Sequence, residues 1–316
     1  MSSLLHPKVL RYLSAVAQLG SVQAAAREVS ISASAIDRQI LQLEEQLGVP
    51  LFERQPRGMK LTAAGEMLIA LNQRLSSDLT RTLSDVKQLQ GIARGQVKLV
   101  AMDSHANGLL PAFIEQLAQT HPGITLDVEI VSPDLAITPL TTGLVDFAVA
   151  YNLKPAREIH IVWSTELPLG CIVAVSRPLA ALDSVTLRQV AAWPLAAQSR
   201  LLTIRRYLER QHAWLLEQSQ PMLTSNSLQL LKTLVLQGHH VALTSELDAA
   251  PEILAGKLKF LPVHDRNIQP QSLAVAISAS RPLPRIARMV ADLLVTHTQE
   301  YLARVRAYGA APGEAK

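Results

Sequence analysis

Ser21-Val-Gln-Ala-Ala-Ala-Arg-Glu-Val-Ser30 runs into Ile31-Ser-Ala-Ser-Ala-Ile-Asp-Arg-Gln-Ile-Leu-Gln-Leu-Glu-Glu-Gln-Leu47, and the two pieces read as amphipathic helices around a tight polar turn. Ala25, Ala26 and Val29 make one small packed face, so a second helix can cross the first at close range. The turn falls at Ser30 to Ser32. On the second helix Ile36, Ile40, Leu43 and Leu47 recur at helical spacing and are expected to face inward. Ser34, Ala35, Asp37, Arg38 and Gln39 are then left on or beside the outer face, where short and forked polar groups can reach a major groove. The helix-turn-helix motif is placed at about 22–41, with Ser21, Gln23 and Ser32 at the helix starts. This outline points to DNA.

On the amino-terminal side a helix from Pro7 to Gln18 carries Val9, Leu13 and Val16 on one stripe, with Gly20 as its C-cap, and completes a three-helix core. On the other side Gly48-Val49-Pro50 breaks the chain. Residues 54–61 then read as a hairpin turning at Pro56 to Gly58, a candidate wing whose Arg54, Arg57 and Lys60 would lie beside phosphates. An ordinary solvated turn is the alternative. Residues 1–60 hold seven basic and five acidic side chains, and three of the seven crowd residues 54–60.

Thr62 is the expected N-cap of a long helix reaching about Gln90. Leu68, Asn72, Leu75, Leu79, Thr82, Val86 and Leu89 follow the alternating four-and-three spacing of a coiled-coil seam. The seam predicts pairing with the same helix of a second chain, Asn72 and Thr82 setting register; a helix packed on its own chain is the alternative.

At 316 residues with 48% hydrophobic and 18% charged side chains, the chain is globular and long enough for two or three domains. No apolar run is long enough to cross a bilayer and no leader pattern is visible, so the expectation is a cytoplasmic protein with no membrane contact. A net charge of +4 fits a nucleic-acid partner weakly. Cys171 is the only cysteine, which excludes an intrachain disulfide; its apolar run predicts core packing. The nine histidines show no metal-binding spacing, and no metal is expected. No Gly-x-Ser-x-Gly elbow, phosphate loop or dinucleotide glycine pattern occurs, so no catalytic residues are assigned and no enzyme is expected.

After a hinge at Gly91 to Gly95 the pattern alternates strands and helices: strands at 96–102, 125–131 and 145–150 with helices at 109–120 and 134–142, βαβ units that imply a parallel sheet. Further strands are expected near 171–175, 195–197, 222–224, 241–244, 258–262 and 273–277. Helices are expected near 203–213, 227–237, 248–255 and 283–302. In open α/β sheets, ligands sit at the carboxyl ends of strands. That rule selects Ser104, His105, Ser132, Tyr151, Ser199, Arg200, Asn226 and Thr244, with Ser227 read chiefly as a helix cap. Arg200 could grip a carboxylate with two parallel hydrogen bonds.

Taken in order, Ala25-Ala26, Ser32-x-Ser34-Ala35-Ile36-x-Arg38-Gln39-Ile40, Leu43-Glu44-x-x-Leu47-Gly48-Val49-Pro50-Leu51-Phe52-Glu53-Arg54 and Leu61-Thr62-x-x-Gly65 make the chain resemble a LysR-type transcriptional regulator. Leu110-Pro111-x-Phe113, His121-Pro122 and Gly143-x-x-Asp146-Phe147 extend the resemblance, more loosely, along the rest of the sequence. It implies an α+β multidomain protein: a winged helix-turn-helix at 5–62, a dimerising coiled-coil linker helix at 63–92, and at 96–303 a two-lobed α/β effector domain similar to periplasmic solute-binding proteins. The lobes would be 96–164 with 270–303, and 165–269, before a flexible tail at 304–316. It also implies a sequence-specific regulator that binds promoter or operator double-stranded DNA, dimerises through the linker helix and assembles to a tetramer, with RNA polymerase as a further partner. Apart from a small-molecule effector held between the lobes, here expected to be a carboxylate, it needs no cofactor. A transport solute-binding protein would share the α/β half but not the amino-terminal helix-turn-helix.

This sequence departs from the family pattern at three places. Ala33-Ser34 stands where Gln-Pro is frequent. Asp37 stands where serine is frequent, and is expected to orient Arg38 or to accept from cytosine N4. Gly238-His239-His240 lacks a second glycine and a following proline, so His240 either reshapes the second lobe's wall or, as the favoured reading has it, lies on the surface.

Overall fold

The structure, a computed structural model, describes residues 7–55, 58–88, 95–219 and 223–310. Its elements up to residue 88 form one unit, and those from residue 95 a second.

The first unit comprises α1 (Lys8–Leu19), α2 (Val22–Glu28), α3 (Ala33–Leu47), β1 (Phe52–Gln55), β2 (Gly58–Leu61) and α4 (Ala63–Gln88). Helix α1 ends where expected, at Gly20 in the left-handed conformation with φ of 64°. Leu13, Val16, Ala25 and Ile36 are fully buried at the centre of a core shared by α1, α2 and α3. Leu47 is the exception to the expected inward stripe: it is exposed, one residue before the left-handed C-cap Gly48 and already past the core.

Helix α4 begins on the Thr62 cap, whose hydroxyl accepts from Gly65 N at 3.1 Å. The seam reading is corrected at its amino-terminal half. Asn72 is buried and its amide donates to Leu10 O at 3.2 Å and Ser14 Oγ at 2.6 Å on α1 of the same chain. Leu68 and Leu75 pack on that core as well. Heptad spacing showed which face is apolar but not which helix fills it. Thr82 and Val86 are exposed, and Leu89 lies outside the described residues.

The second unit comprises β3 (Gly95–Ala101), α5 (Leu109–Thr120), β4 (Ile124–Ile130), α6 (Ile137–Thr142), β5 (Phe147–Tyr151), β6 (Ile159–Leu167), β7 (Gly170–Ala174), α7 (Leu187–Ala191), β8 (Ala196–Gln198), α8 (Thr203–Gln211), α9 (Ala213–Ser219), β9 (Leu223–Ser225), α10 (Leu228–Leu236), β10 (Ala242–Thr244), α11 (Ala250–Leu254), β11 (Leu258–Pro262), β12 (Gln271–Ser278) and α12 (Arg285–Ala310). One lobe is a five-stranded sheet of order β4-β3-β5-β12-β6. The βαβ strands β4, β3 and β5 run parallel, while β12 is antiparallel to both β5 and β6. The other lobe has β7 flanked by antiparallel β10 and β11, and the parallel pair β8-β9 joins it through a bridge from Leu195 to Val241.

Strand β6 was not expected, and it moves the crossover between lobes from 164/165 to the turn between Leu167 and Gly170. Helices α7 and α9 were also unread. Helix α12 continues to Ala310, with Val305 buried, so residues 304–310 are helix rather than flexible tail. Residues 311–316 lie outside the described residues. Cys171 is buried in β7, and burial pushes its thiol up to about 12, consistent with a purely packing role.

Candidate nucleic-acid interface and interlobe cleft

The turn between α2 and α3 is closed by Ser30 N to Arg27 O and Ile31 N to Ala26 O, a Schellman motif in which Ser30, at φ of 56°, takes the left-handed position glycine usually fills. Each helix start carries its serine cap: Ser21 Oγ accepts from Ala24 N at 3.4 Å, and Ser32 Oγ from Ala35 N at 3.3 Å. Ser32 Oγ also lies 3.2 Å from Ser34 Oγ, and Ser21 donates to Gln23 at 3.1 Å. These bonds present two helix amino termini, with their partial positive charge, on one side of the motif.

Strands β1 and β2 form the wing, paired antiparallel from Phe52–Leu61 to Gln55–Gly58. Its base rests on the turn after α1: Met59 N donates to Gly20 O at 2.8 Å, and a Cβ on Gly58 would stand 2.5 Å from that oxygen. Ser21, Gln23, Ser34, Asp37 and Arg54 all line one groove between the two helix starts and the wing, enclosing about 770 Å³ of open space. Arg38 and Lys60 are exposed, while Ala35 and Gln39 are half-buried. Arg57 lies outside the described residues.

Asp37 does not orient Arg38. Its carboxylate receives Arg54 Nη2 at 2.6 Å, tying the recognition helix to the wing. Arg38 has no ion-pair partner among the described residues, which leaves its guanidinium available to base edges or phosphates. A second tie is Glu44 on the inner side of α3, whose Oε1 accepts from Leu51 N at 2.6 Å and Phe52 N at 3.2 Å. In Glu44→Ala both N–H groups lose their acceptor beside a closed core. The helix-turn-helix unit is expected to lose about 2 kcal/mol, read as an earlier circular-dichroism melt, with Glu44→Gln intermediate.

In the second unit the cavity between the lobes is lined by Met102, Asp103 and Ser104 after β3, Tyr151 at the end of β5, Gln198 on β8, Leu202, Thr203 and Ile204 at the start of α8, Asn226 and Leu228 around the start of α10, and Asp248 and Gln271. It encloses about 390 Å³, its mouth included. Of the expected effector residues the structure brings Ser104, Tyr151 and Asn226 to the cavity. The others do not line it. Thr244 is fully buried and donates to Asp248 Oδ2 at 2.6 Å. His105 packs on the Tyr151 ring, its Nδ1 accepting from Met102 N at 3.4 Å, and burial pushes its pKa down to about 4, so it is neutral near pH 7. Ser132 precedes a short 3-10 turn, and Ser199 lies outside the lining. His240 is half-buried and does not line the cavity either.

Arg200 overturns its own assignment. It is 80% exposed and its Nε reaches both carboxylate oxygens of Glu209, at 2.8 and 3.1 Å, away from the cavity. The carboxylate expected of the effector therefore has no support from this residue.

Sequence reading missed Asp103, Gln198, Thr203, Asp248 and Gln271. One signal was accessible: an antiparallel strand brings its amino end to its neighbours' carboxyl ends, as the pairing of Leu273 with Tyr151 does for β12 and hence for Gln271.

The lobes are joined across this cavity. Asp103 Oδ2 accepts from Leu228 N at 2.6 Å, at the amino terminus of α10, and Gln229 donates to Asp103 O at 3.2 Å. Tyr151 Oη donates to Asp248 Oδ1 at 2.9 Å; burial first, and then the Asp248 charge, raise the phenol well above its usual pKa and keep it a donor. Asn152 donates to Thr203 at 3.1 Å, and Arg206 pairs with Asp134. Lys232 is buried with its Nζ 3.0 Å from each oxygen of Glu252, which also accepts from Asn107 at 3.2 Å.

A helix-turn-helix with a wing, followed by a two-lobed α/β domain with a cleft between its lobes, defines a ligand-responsive DNA-binding regulator. The family models agree: "Bacterial regulatory helix-turn-helix protein, lysR family" matches residues 7–66, and "LysR substrate binding domain" matches residues 90–299. The chain belongs to the LysR family of transcriptional regulators. Its relatives include a probable nitrogen assimilation transcriptional activator of Synechococcus elongatus, 29% identical over 72% of this chain and 74% of the relative. A probable RuBisCO transcriptional regulator of Synechocystis sp. is 26% identical over 86% and 80%. Among solved structures, full-length CbnR complexed with its target DNA superposes with a TM-score of 0.66 at 19% identity, covering 93% of this chain and 99% of that one. A full-length OxyR variant from Pseudomonas aeruginosa gives 0.62 at 22% identity, covering 90% and 93%.

Proposed function

We propose that α3 reads operator bases through Arg38, with Ser34 and Gln39 beside it, while Lys60 and the Asp37-braced Arg54 of the wing hold phosphates. The observation that carries this is the groove shared by Ser21, Gln23, Ser34, Asp37 and Arg54 between the helix starts and the wing, next to which in sequence Arg38 stands exposed with no ion-pair partner among the described residues. The seam positions Thr82 and Val86, exposed in the carboxyl-terminal half of α4, support self-association through that half of the linker helix, and so recognition of a two-fold-symmetric site. A small molecule bound in the interlobe cavity sets the regulatory state. The same reading makes the chain a regulator rather than a catalyst, working in the cytoplasm; among the described residues no helix is long and apolar enough to cross a membrane.

The test is binding selection on genomic fragments with purified full-length protein, followed by gel shift of the top fragment. Arg38→Ala is expected to weaken specific binding about tenfold to a hundredfold, one good bidentate base contact contributing ~1–3 kcal/mol, and to leave non-specific binding nearly unchanged. Wild-type affinity in Arg38→Ala removes α3 as the reading head.

A further inference from the structure

Resting on the reading of the interlobe cavity as the effector site, we infer that its ligand is a small cationic hydrogen-bond donor of the ammonium class, because the anion position in this cleft is already filled by the chain's own Asp103.

The amino terminus of α10 opens on the cavity with its partial positive charge, the ordinary seat for a ligand carboxylate. Here Asp103 Oδ2 sits 2.6 Å from Leu228 N, the first N–H of that helix. An entering carboxylate would have to displace a tethered one. The rest of the lining sharpens the point. Asp248 is the second carboxylate, and its three donors, Tyr151 Oη, Thr244 Oγ1 and Ser245 N, are neutral groups that satisfy its oxygens without cancelling its charge. Among the described residues no lysine or arginine lines the cavity, and His105 behind Tyr151 carries no charge near pH 7. Nearby cations are matched elsewhere: Lys232 by Glu252 within its own lobe, and across the lobes Arg206 by Asp134 and Arg306 by Glu246. Two acids in a concave site without a counter-cation focus a negative potential on whatever enters. Ser104 Oγ, screened from solvent and without a partner among the described residues, adds an acceptor at the same wall. Discrimination then comes from repulsion of anions as much as from attraction of amines.

A four-carbon series isolates the head group: n-butylammonium, butyramide and butyrate, each titrated into the full-length protein with tryptophan-detected melting. All three tryptophans, Trp163, Trp193 and Trp214, belong to the effector domain. Butylammonium is expected to raise the melting temperature by about 3 °C at saturation, butyramide less, and butyrate not at all. Asp103→Asn keeps an oxygen for Leu228 N but removes the charge; it should weaken butylammonium about tenfold and admit butyrate. Stabilisation of the wild type by butyrate, an equal or absent response to all three, or an unchanged ranking in Asp103→Asn overturns the charge assignment. Ser104→Leu, which fills the cavity with a branched apolar group, separates that failure from failure of the site. Any response that survives in Ser104→Leu comes from outside the cleft and overturns the reading of the cavity itself.

Discussion

Glu252→Ala is expected to lower the stability of the effector domain by about 3–5 kcal/mol, the largest loss foreseen for a single side chain here. Lys232 is among the most deeply buried side chains of the protein, and Glu252 supplies both oxygens of its pair. Removing the acid leaves an ammonium inside the fold with no compensating charge, and removes the acceptor that Asn107 reaches from the other lobe. Such a pair is costly to break and nearly neutral to replace, because the desolvation of two ions offsets most of their attraction. The double variant Lys232→Met with Glu252→Leu should therefore regain most of the loss. Urea unfolding followed by tryptophan fluorescence reads this domain alone. A loss below about 1 kcal/mol in the single variant would mean that the pair is solvated and its burial unimportant.

Gly65→Ala tests the other unit, and two effects oppose each other there. Alanine inside a helix is favoured over glycine by about 1 kcal/mol, so propensity alone predicts a gain. The added Cβ, however, would stand 2.2 Å from the Leu51 carbonyl oxygen and 2.8 Å from Leu61 Cδ2. That carbonyl cannot retreat cheaply: it accepts from Thr62 N at 3.0 Å, and its own residue is held on the other side by Glu44. Sterics win, and a net loss of about 2–3 kcal/mol is expected, in a circular-dichroism transition that tryptophan fluorescence does not see. DNA binding should fall with it, since the shift passes through Leu51 into the wing. A melting temperature at or above wild type would show that α4 can slide on the wing, and the argument for a rigid junction would be lost.

The parts of this fold that were legible in the sequence are those whose causes are local. The serine caps, Gly20, the Thr62 start of α4 and the Ile36-Ile40 stripe each lie within a few residues of the structure they produce. The illegible parts depend on distant partners. Strand β6 is an edge strand whose exposed middle shows no clean alternation, and it pairs with a segment more than a hundred residues away across a bulge at Val275/Ala276. Asn72 sits at a seam position by heptad arithmetic, yet α1 fills that seam. Arg200 is where a carboxylate-binding arginine should be, and Glu209, one helix later, takes it. Asp37 follows the same pattern, its partner being the wing rather than the adjacent arginine. The carboxyl-end rule found the right wall of the cleft, but charge bookkeeping along the sequence could not show that the charged side chains lining it, among the described residues, are Asp103 and Asp248.

The hydrogen bonds from Asn72 into α1 make α4 a mechanical arm rather than a tether. Its 26 residues span ~39 Å, and its near end is welded to the body that carries the reading helix. A swing of about 5° at the far end moves the near end by ~3 Å, close to the ~3.4 Å rise of one base step along a strand. Gearing of that ratio turns a slight change of pose into a displacement on the scale of one base step.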